Sequence, residues 1–138
     1  MRIAVDFDGT IVEHRYPEIG KEIPFAVATL KQLIREGHLL ILWSVCEGEL
    51  LDEAVEWCRA KGIEFYAVNS DYPDEDETLS KKISRKLKVD LFIDDRNVGG
   101  LPDWGVIYEM INSNKTYEQV LREMINAPKP EKKPWWKF

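Results

Sequence analysis

This 138-residue chain has two cysteines, no long apolar stretch and no excess of positive charge, and each of these features argues against a class of protein. The two cysteines, Cys46 and Cys58, form no pattern of closely spaced pairs, so we expect thiols in a reducing compartment. No apolar run approaches the roughly 18 residues of a membrane span. Lysine and arginine number 19 against 25 acidic residues, and the net charge of −6 disfavours non-specific binding to nucleic acid, which requires neutralisation of phosphates.

Length and composition predict one soluble domain. The chain falls within the usual range of roughly 100–200 residues for a single domain. Its content of 44% apolar and 32% charged residues is typical of a globular protein. The start of the chain reaches acidic Asp6 too early for a signal peptide, so we expect a cytoplasmic location. We assign residues 1–126 to the domain and residues 127–138 to a tail rich in proline, lysine and tryptophan, whose aromatic residues favour a homo-oligomer.

Short apolar runs alternate with amphipathic stretches, a pattern typical of a parallel sheet covered by helices. Apolar runs predict buried strands at Ile3–Phe7, Leu39–Trp43, Glu64–Val68 and Val89–Ile93, and a fifth strand at Gly105–Met110. Helices are predicted from Pro24 to Gly37, Glu49 to Lys61, Leu79 to Leu87 and Thr116 to Ile125, the last capped by Thr116. Residues 11–23 are predicted to form a polar loop. The predicted fold class is α/β, a three-layer sandwich around a central parallel, Rossmann-like sheet of about five strands.

Acidic residues are concentrated where two of the predicted strands end. The segment Asp6-Phe7-Asp8-Gly9-Thr10 ends the first strand, and Asp94-Asp95 follows the fourth. Ligands of parallel sheets bind beyond the carboxyl ends of the strands, so these carboxylates would crowd together if the two strands are neighbours. Like charges at such proximity require compensation, and Mg²⁺ fits because it takes carboxylate, water and phosphate oxygens as ligands.

These residues resemble the motifs of the haloacid dehalogenase-like (HAD) phosphohydrolase superfamily. The segment Asp6-Phe7-Asp8-Gly9-Thr10 resembles the first motif, and Asp94-Asp95 resembles the terminal acidic motif. Ser44 stands where the family has Ser or Thr, and Lys86 where it has Lys or Arg. The resemblance covers Met1 to Gly100. Many relatives carry a cap domain in one of two places, but residues 11–23 and 69–82 are too short to form one, so the chain resembles a small capless member.

The resemblance implies a Mg²⁺-dependent phosphatase acting on a small phosphomonoester, such as a sugar phosphate or a nucleotide. Asp6 would be the nucleophile that forms an aspartyl-phosphate, and Asp8 the general acid and base. The metal would be held by Asp6, Asp94, Asp95 and the backbone carbonyl of Asp8. Asp94 is the better candidate for direct contact, whereas Asp95 would act through water or from just outside the ligands. Phosphate or substrate binding is assigned to the following residues: Gly9, Thr10, Ser44, Lys86 and Arg15.

Several alternatives remain open at the level of sequence. Lys82 or Arg85 could replace Lys86 as the motif cation, because all three belong to one basic run. Cys46 is interpreted as a passive rim residue because no histidine or basic partner is evident nearby. The acidic stretch at 71–77 is interpreted as a solvated loop. The alternative function is a non-catalytic phosphate-binding module on the same fold. A receiver domain is disfavoured, because its acceptor aspartate would end the third strand, where this chain has Val68-Asn69-Ser70.

Overall fold

The computed structural model describes residues 1–73 and 86–126 and has an α/β architecture. The main-sheet strands are β1 Arg2–Val5, β4 Leu39–Leu42, β5 Ala67–Val68 and β6 Leu91–Ile93. A small antiparallel sheet contains β2 Val12–Arg15 and β3 Glu18–Glu22. The helices of the described chain are α1 Ala26–Arg35, α2 Gly48–Ala60, α3 Trp104–Ser113 and α4 Tyr117–Asn126. The chain divides into two compact units, Met1–Gly105 and a second that begins at Val106.

The main sheet has four parallel strands within the described residues, in the order β5-β4-β1-β6. β1 is central, and its residue Val5 lies opposite Leu42 on one side and Ile93 on the other. Ile3, Ala4 and Val5 are fully buried, as expected for a parallel strand that is covered on both faces. The parallel sheet predicted from the alternating pattern is therefore confirmed.

The strand order places a switch point at β1. From β1 the chain passes to β4 and then to β5 on one side, whereas β6 pairs with the other side of β1. In open α/β sheets, the crevice beyond the carboxyl ends of the strands at such a reversal is the usual ligand-binding position. The residues that directly follow β1 and β6 therefore occupy the position where open α/β sheets usually bind ligands.

The predicted helices 24–37 and 116–125 are confirmed as α1 and α4. In α1 the buried residues Ala26, Leu30 and Leu33 form the apolar stripe, and Gly37 ends the helix with a φ of 91° that other residues rarely adopt. Thr116 caps α4, because its hydroxyl accepts the backbone N–H of Gln119 at 3.2 Å. Gln119 Oε1 in turn accepts the N–H of Thr116 at 2.8 Å, which completes a capping box.

Two predicted elements differ from the structure. The strand at Gly105–Met110 is wrong, because these residues lie in α3. Their apolar residues continue the helical spacing Trp104, Ile107, Ile111, and helical hydrogen bonding satisfies the backbone without a strand partner. The predicted loop 11–23 instead contains the β2–β3 hairpin. Its strands are mostly exposed and lack a buried alternating face, so the hydrophobic pattern did not reveal them.

Other predictions fall at the edge of the described chain. The predicted helix Leu79–Leu87 lies largely outside it, as do the tail 127–138 and most of the acidic stretch 71–77. Cys46 and Cys58 are both buried and are not joined by a disulfide. Within residues 1–73 and 86–126, no helix combines the length and apolar character needed to cross a bilayer.

Candidate active site

Three carboxylates meet at the carboxyl end of the central strand. One oxygen each from Asp6, Asp94 and Asp95 lies within 4.8 Å of the other two. The sheet sets this geometry, because the Asp6 N–H donates to the Ile93 carbonyl at 2.9 Å and so continues the β1–β6 pairing by one residue. Asp6 and Asp94 are thereby held at the same level. The predicted meeting of the first and fourth strand ends is observed.

Thr10 connects the three carboxylates to the backbone. Its fully buried side chain accepts the N–H of Asp95 at 3.1 Å and donates to Asp6 Oδ2 at 3.2 Å, with Asp95 Oδ1 within reach at 3.5 Å. The carbonyl of Thr10 accepts the indole N–H of buried Trp104 at 3.0 Å. The Thr10 hydroxyl therefore holds the carboxylates in place, and direct phosphate binding by this side chain stays a prediction.

Gly9 allows the chain to turn sharply after β1. Its φ is 82°, a conformation that other residues rarely adopt, and a Cβ atom at this position would overlap the carboxylate of Asp95. The turn is closed by backbone bonds from the N–H groups of Thr10 and Ile11 to the carbonyl of Phe7, at 3.2 and 2.9 Å. Glycine is thus required both for the turn and for the close approach of Asp95.

Burial and neighbouring charge perturb the pKa of Asp6, the candidate nucleophile. Burial raises the pKa of Asp6 to about 8, and the negative charge of Asp94 contributes to the rise. The N–H of Phe7 and the hydroxyl of Thr10 lower this pKa, because they donate to the carboxylate and favour its charged form. Without a cation, Asp6 therefore holds a proton at neutral pH, and a bound cation would displace it.

Asp8 lies outside the three-carboxylate cluster and contacts Cys46. The Cys46 thiol donates to Asp8 Oδ2 at 3.4 Å and is almost fully buried. Burial, together with the nearby negative charge of Asp8, raises the pKa of this thiol above its ordinary value, so it stays protonated at neutral pH and can donate. The side chains of Asp6 and Asp8 therefore have different surroundings, as two different chemical roles would require.

Ser44 follows β4 at the same edge of the sheet and is anchored from two directions. Its N–H donates to Asn69 Oδ1 at 2.8 Å, and its Oγ accepts the N–H of Cys46 at 3.1 Å. The hydroxyl proton of Ser44 is left to donate to another acceptor. This geometry is compatible with the predicted bond to a phosphate oxygen.

The structure does not bring two other predicted residues to the carboxylates. The Lys86 Nζ lies 5.5 Å from the ring centroid of Phe92. Within residues 1–73 and 86–126, no ion pair links Lys86 to a carboxylate. The other two candidates for the motif cation, Lys82 and Arg85, lie outside the described residues. Arg15 is on the exposed hairpin, 3.8 Å from Glu13. Phosphate binding by Lys86 and Arg15 stays a prediction.

The sequence did not predict the contacts of three contributors. These are Trp104, Asn69 and the thiol of Cys46, which bond to Thr10, Ser44 and Asp8. Each acts across a long sequence separation, so no local pattern could have paired it with its partner. The position of Asn69 directly after β5 was the single available signal, because that place is level with the ends of β4 and β1.

The donor set fits a hard divalent cation. The cluster offers carboxylate oxygens, which are the ligands that Mg²⁺ prefers, and contains no thiolate or imidazole. A cation there would offset the charge repulsion that raises the pKa of Asp6. Among the described residues, Asp6, Asp94 and Asp95 are the group that could hold such an ion.

Comparison with known proteins gives one strong similarity. The chain is 72% identical to a conserved protein of Bacteroides thetaiotaomicron of known structure, with a TM-score of 0.79. The match covers 87% of this chain and 96% of the other. No protein-family model and no curated protein matches the sequence.

Proposed function

The chain belongs to the same family as the conserved Bacteroides thetaiotaomicron protein, and we propose that it is a Mg²⁺-dependent phosphomonoester hydrolase of the HAD type. The substrate is a small phosphorylated metabolite of the sugar phosphate or nucleotide class. The proposal includes the three-layer arrangement of that superfamily, with the four described parallel strands as the centre of its sheet.

The observation that carries the proposal is the three-carboxylate cluster at the switch point of the sheet. Asp6 follows β1, Asp94 and Asp95 follow β6, and one oxygen of each lies within 4.8 Å of the others. Three half-buried acids in one place are costly for a purely structural role, because their charges repel. A bound divalent cation together with an anionic substrate gives these residues a chemical reason to be adjacent.

Asp6, Asp94 and Asp95 would hold the metal ion, joined by the backbone carbonyl of Asp8. When bound, the metal ion supplies positive charge that offsets the phosphate charge and orients the phosphoryl group. Mg²⁺ is favoured over larger cations, because it binds through few protein carboxylates and completes its octahedron with water and phosphate oxygens.

Asp6 and Asp8 divide the chemistry. A carboxylate oxygen of Asp6 attacks phosphorus, the bond from phosphorus to the ester oxygen breaks, and that oxygen takes a proton from Asp8. In the second half, Asp8 takes a proton from water, the water oxygen attacks phosphorus, and the bond to Asp6 breaks. The products are an alcohol and inorganic phosphate, and both aspartates return to their starting states.

Substrate access is controlled by short elements. The β2–β3 hairpin, residues 12–22, fills the first of the two positions where relatives carry a cap domain. A hairpin of that length has no core of its own, so it cannot enclose a substrate as a cap does. Selectivity then depends on the loops that follow β1, β4 and β6.

The test is turnover of p-nitrophenyl phosphate in MgCl2 and in EDTA. We expect Mg²⁺-dependent hydrolysis by the wild type and a loss of about 10³-fold or more in Asp6→Asn, which lacks the nucleophile. Asp8→Asn should turn over slowly and accumulate the phosphoenzyme. Asp52→Asn, which removes an exposed acid of α2, is the matched control and should remain active.

Two outcomes contradict the proposal. Hydrolysis that persists in EDTA or in Asp6→Asn would exclude an Asp6-dependent metal mechanism. Binding of inorganic phosphate without turnover of any ester would instead indicate the non-catalytic phosphate-binding module.

A further inference from the structure

Cys46 makes a contact that the proposed chemistry does not yet use. Its thiol donates to Asp8 Oδ2 at 3.4 Å, across a separation of 38 residues. The residue sits in the loop between β4 and α2 with 6% of its surface exposed, whereas its neighbour Val45 is 82% exposed. The Cys46 thiol therefore points inward, against Asp8, the predicted acid and base, whereas the Val45 side chain points outward.

The backbone around Cys46 is fixed by side-chain bonds. Its N–H donates to Ser44 Oγ at 3.1 Å, and the N–H of Ser44 donates to Asn69 Oδ1 at 2.8 Å. A continuous series of hydrogen bonds therefore runs from Asn69 after β5, through the loop after β4, to Asp8 after β1. A donor held in this way can restrict the rotation of the carboxyl that it contacts.

The geometry points to Cys46 as the positioning residue of Asp8, the side chain that decides which carboxyl oxygen of Asp8 faces the leaving group. The inference rests on the proposed phosphatase function. Oδ2 accepts the thiol proton, so a second proton on that oxygen would face the S–H donor. The proton that Asp8 delivers is therefore placed on Oδ1. In this scheme the Cys46 thiol contacts the side chain of Asp8, not the phosphate or the three clustered carboxylates, and it acts through Asp8 alone.

A leaving-group comparison separates this role from general damage to the fold. Phenyl phosphate and p-nitrophenyl phosphate differ by one nitro group, but phenolate is the more basic leaving group and needs the proton of Asp8 more. Cys46→Ala should lower kcat/KM for phenyl phosphate by about fivefold, the factor for one modest hydrogen bond lost in the transition state. The loss for p-nitrophenyl phosphate should be about twofold or less.

Two further variants complete the experiment. Cys46→Ser keeps a donor at this position and should restore kcat/KM for phenyl phosphate to within about twofold of the wild type. Cys58→Ala removes the other buried thiol, on the buried face of the last turn of α2, and should leave the ratio between the two esters unchanged. Urea unfolding of each variant verifies that it is folded at the assay temperature.

The possible results distinguish failure of the positioning role from failure of the proposed function. Equal losses on the two esters, or a Cys46→Ser variant as slow as Cys46→Ala, would overturn the positioning role while the wild-type activity still supports the proposed function. If the wild type hydrolyses neither ester in Mg²⁺, the proposed function fails and the inference with it.

Discussion

Replacing Asp94 by asparagine should change the stability of the metal-free and metal-bound protein in opposite directions. The clustered oxygens of Asp6, Asp94 and Asp95 lie within 4.8 Å of one another. Two full charges at about that distance repel by about 3 kcal/mol when the effective dielectric constant is about 20, and by less while Asp6 keeps its proton. The substitution removes one charge but keeps an amide oxygen to accept the N–H of Arg96, which donates to Asp94 Oδ1 at 3.2 Å. In EDTA, the free energy of unfolding should therefore rise by about 1–3 kcal/mol.

Magnesium should reverse the ranking. The wild type gains stability from a ligand that binds the folded state, whereas Asp94→Asn has lost a metal ligand and should gain little. Urea unfolding at pH 8, near the pKa of Asp6, measures both effects in EDTA and in MgCl2. Asp52→Asn, an exposed acid on α2, is the control and should behave as the wild type in both buffers. A variant that is destabilised in EDTA, or that gains as much from Mg²⁺ as the wild type, would refute the reasoning.

The same cluster gives three further predictions. In EDTA, the wild-type free energy of unfolding should fall by up to about 1.4 kcal/mol per pH unit as pH rises from about 4 towards 8. The reason is that the folded state retains an Asp6 proton that the unfolded state releases. Urea unfolding of Asp6→Asn should lack this pH dependence. Thr10→Val should weaken Mg²⁺ binding by about tenfold in calorimetry, whereas Thr29→Val, buried in α1, should not. Gly9→Ala should also weaken Mg²⁺ binding, because its Cβ would overlap a carboxylate of the cluster. The control is Gly37→Ala, at a φ of 91° with open space around it, which should reduce stability but leave Mg²⁺ affinity unchanged.

The parts of the fold that sequence could predict are those dictated by burial. Ile3 to Val5 and Leu40 to Leu42 are continuous apolar runs because the sheet is covered on both faces, and that pattern is visible without coordinates. The acids of the cluster could be predicted for the same reason. They interrupt or directly follow such runs, and a polar residue at the end of a buried parallel strand lies at the ligand-binding edge.

The parts that sequence could not predict depend on contacts between distant segments. The mostly apolar segment Gly105–Met110 fits a strand or a helix equally well, and the continuation of the period to Ile111 decides in favour of the helix. The hairpin at residues 12–22 is mostly exposed, so its backbone pairing left no hydrophobic signal. The contact between Cys46 and Asp8 spans 38 residues, so no local pattern indicates it.

The most direct measurement is the identification of the residue that carries the phosphoryl group. Asp8→Asn incubated with p-nitrophenyl phosphate and MgCl2, quenched in acid, reduced with borohydride and digested, can be mapped by mass spectrometry, because an acyl phosphate is reduced to an alcohol at the modified aspartate. The account predicts reduction at Asp6, dependent on Mg²⁺ and absent from the Asp6→Asn protein. Modification of a different residue, or of none while ester hydrolysis continues in the wild type, would contradict it.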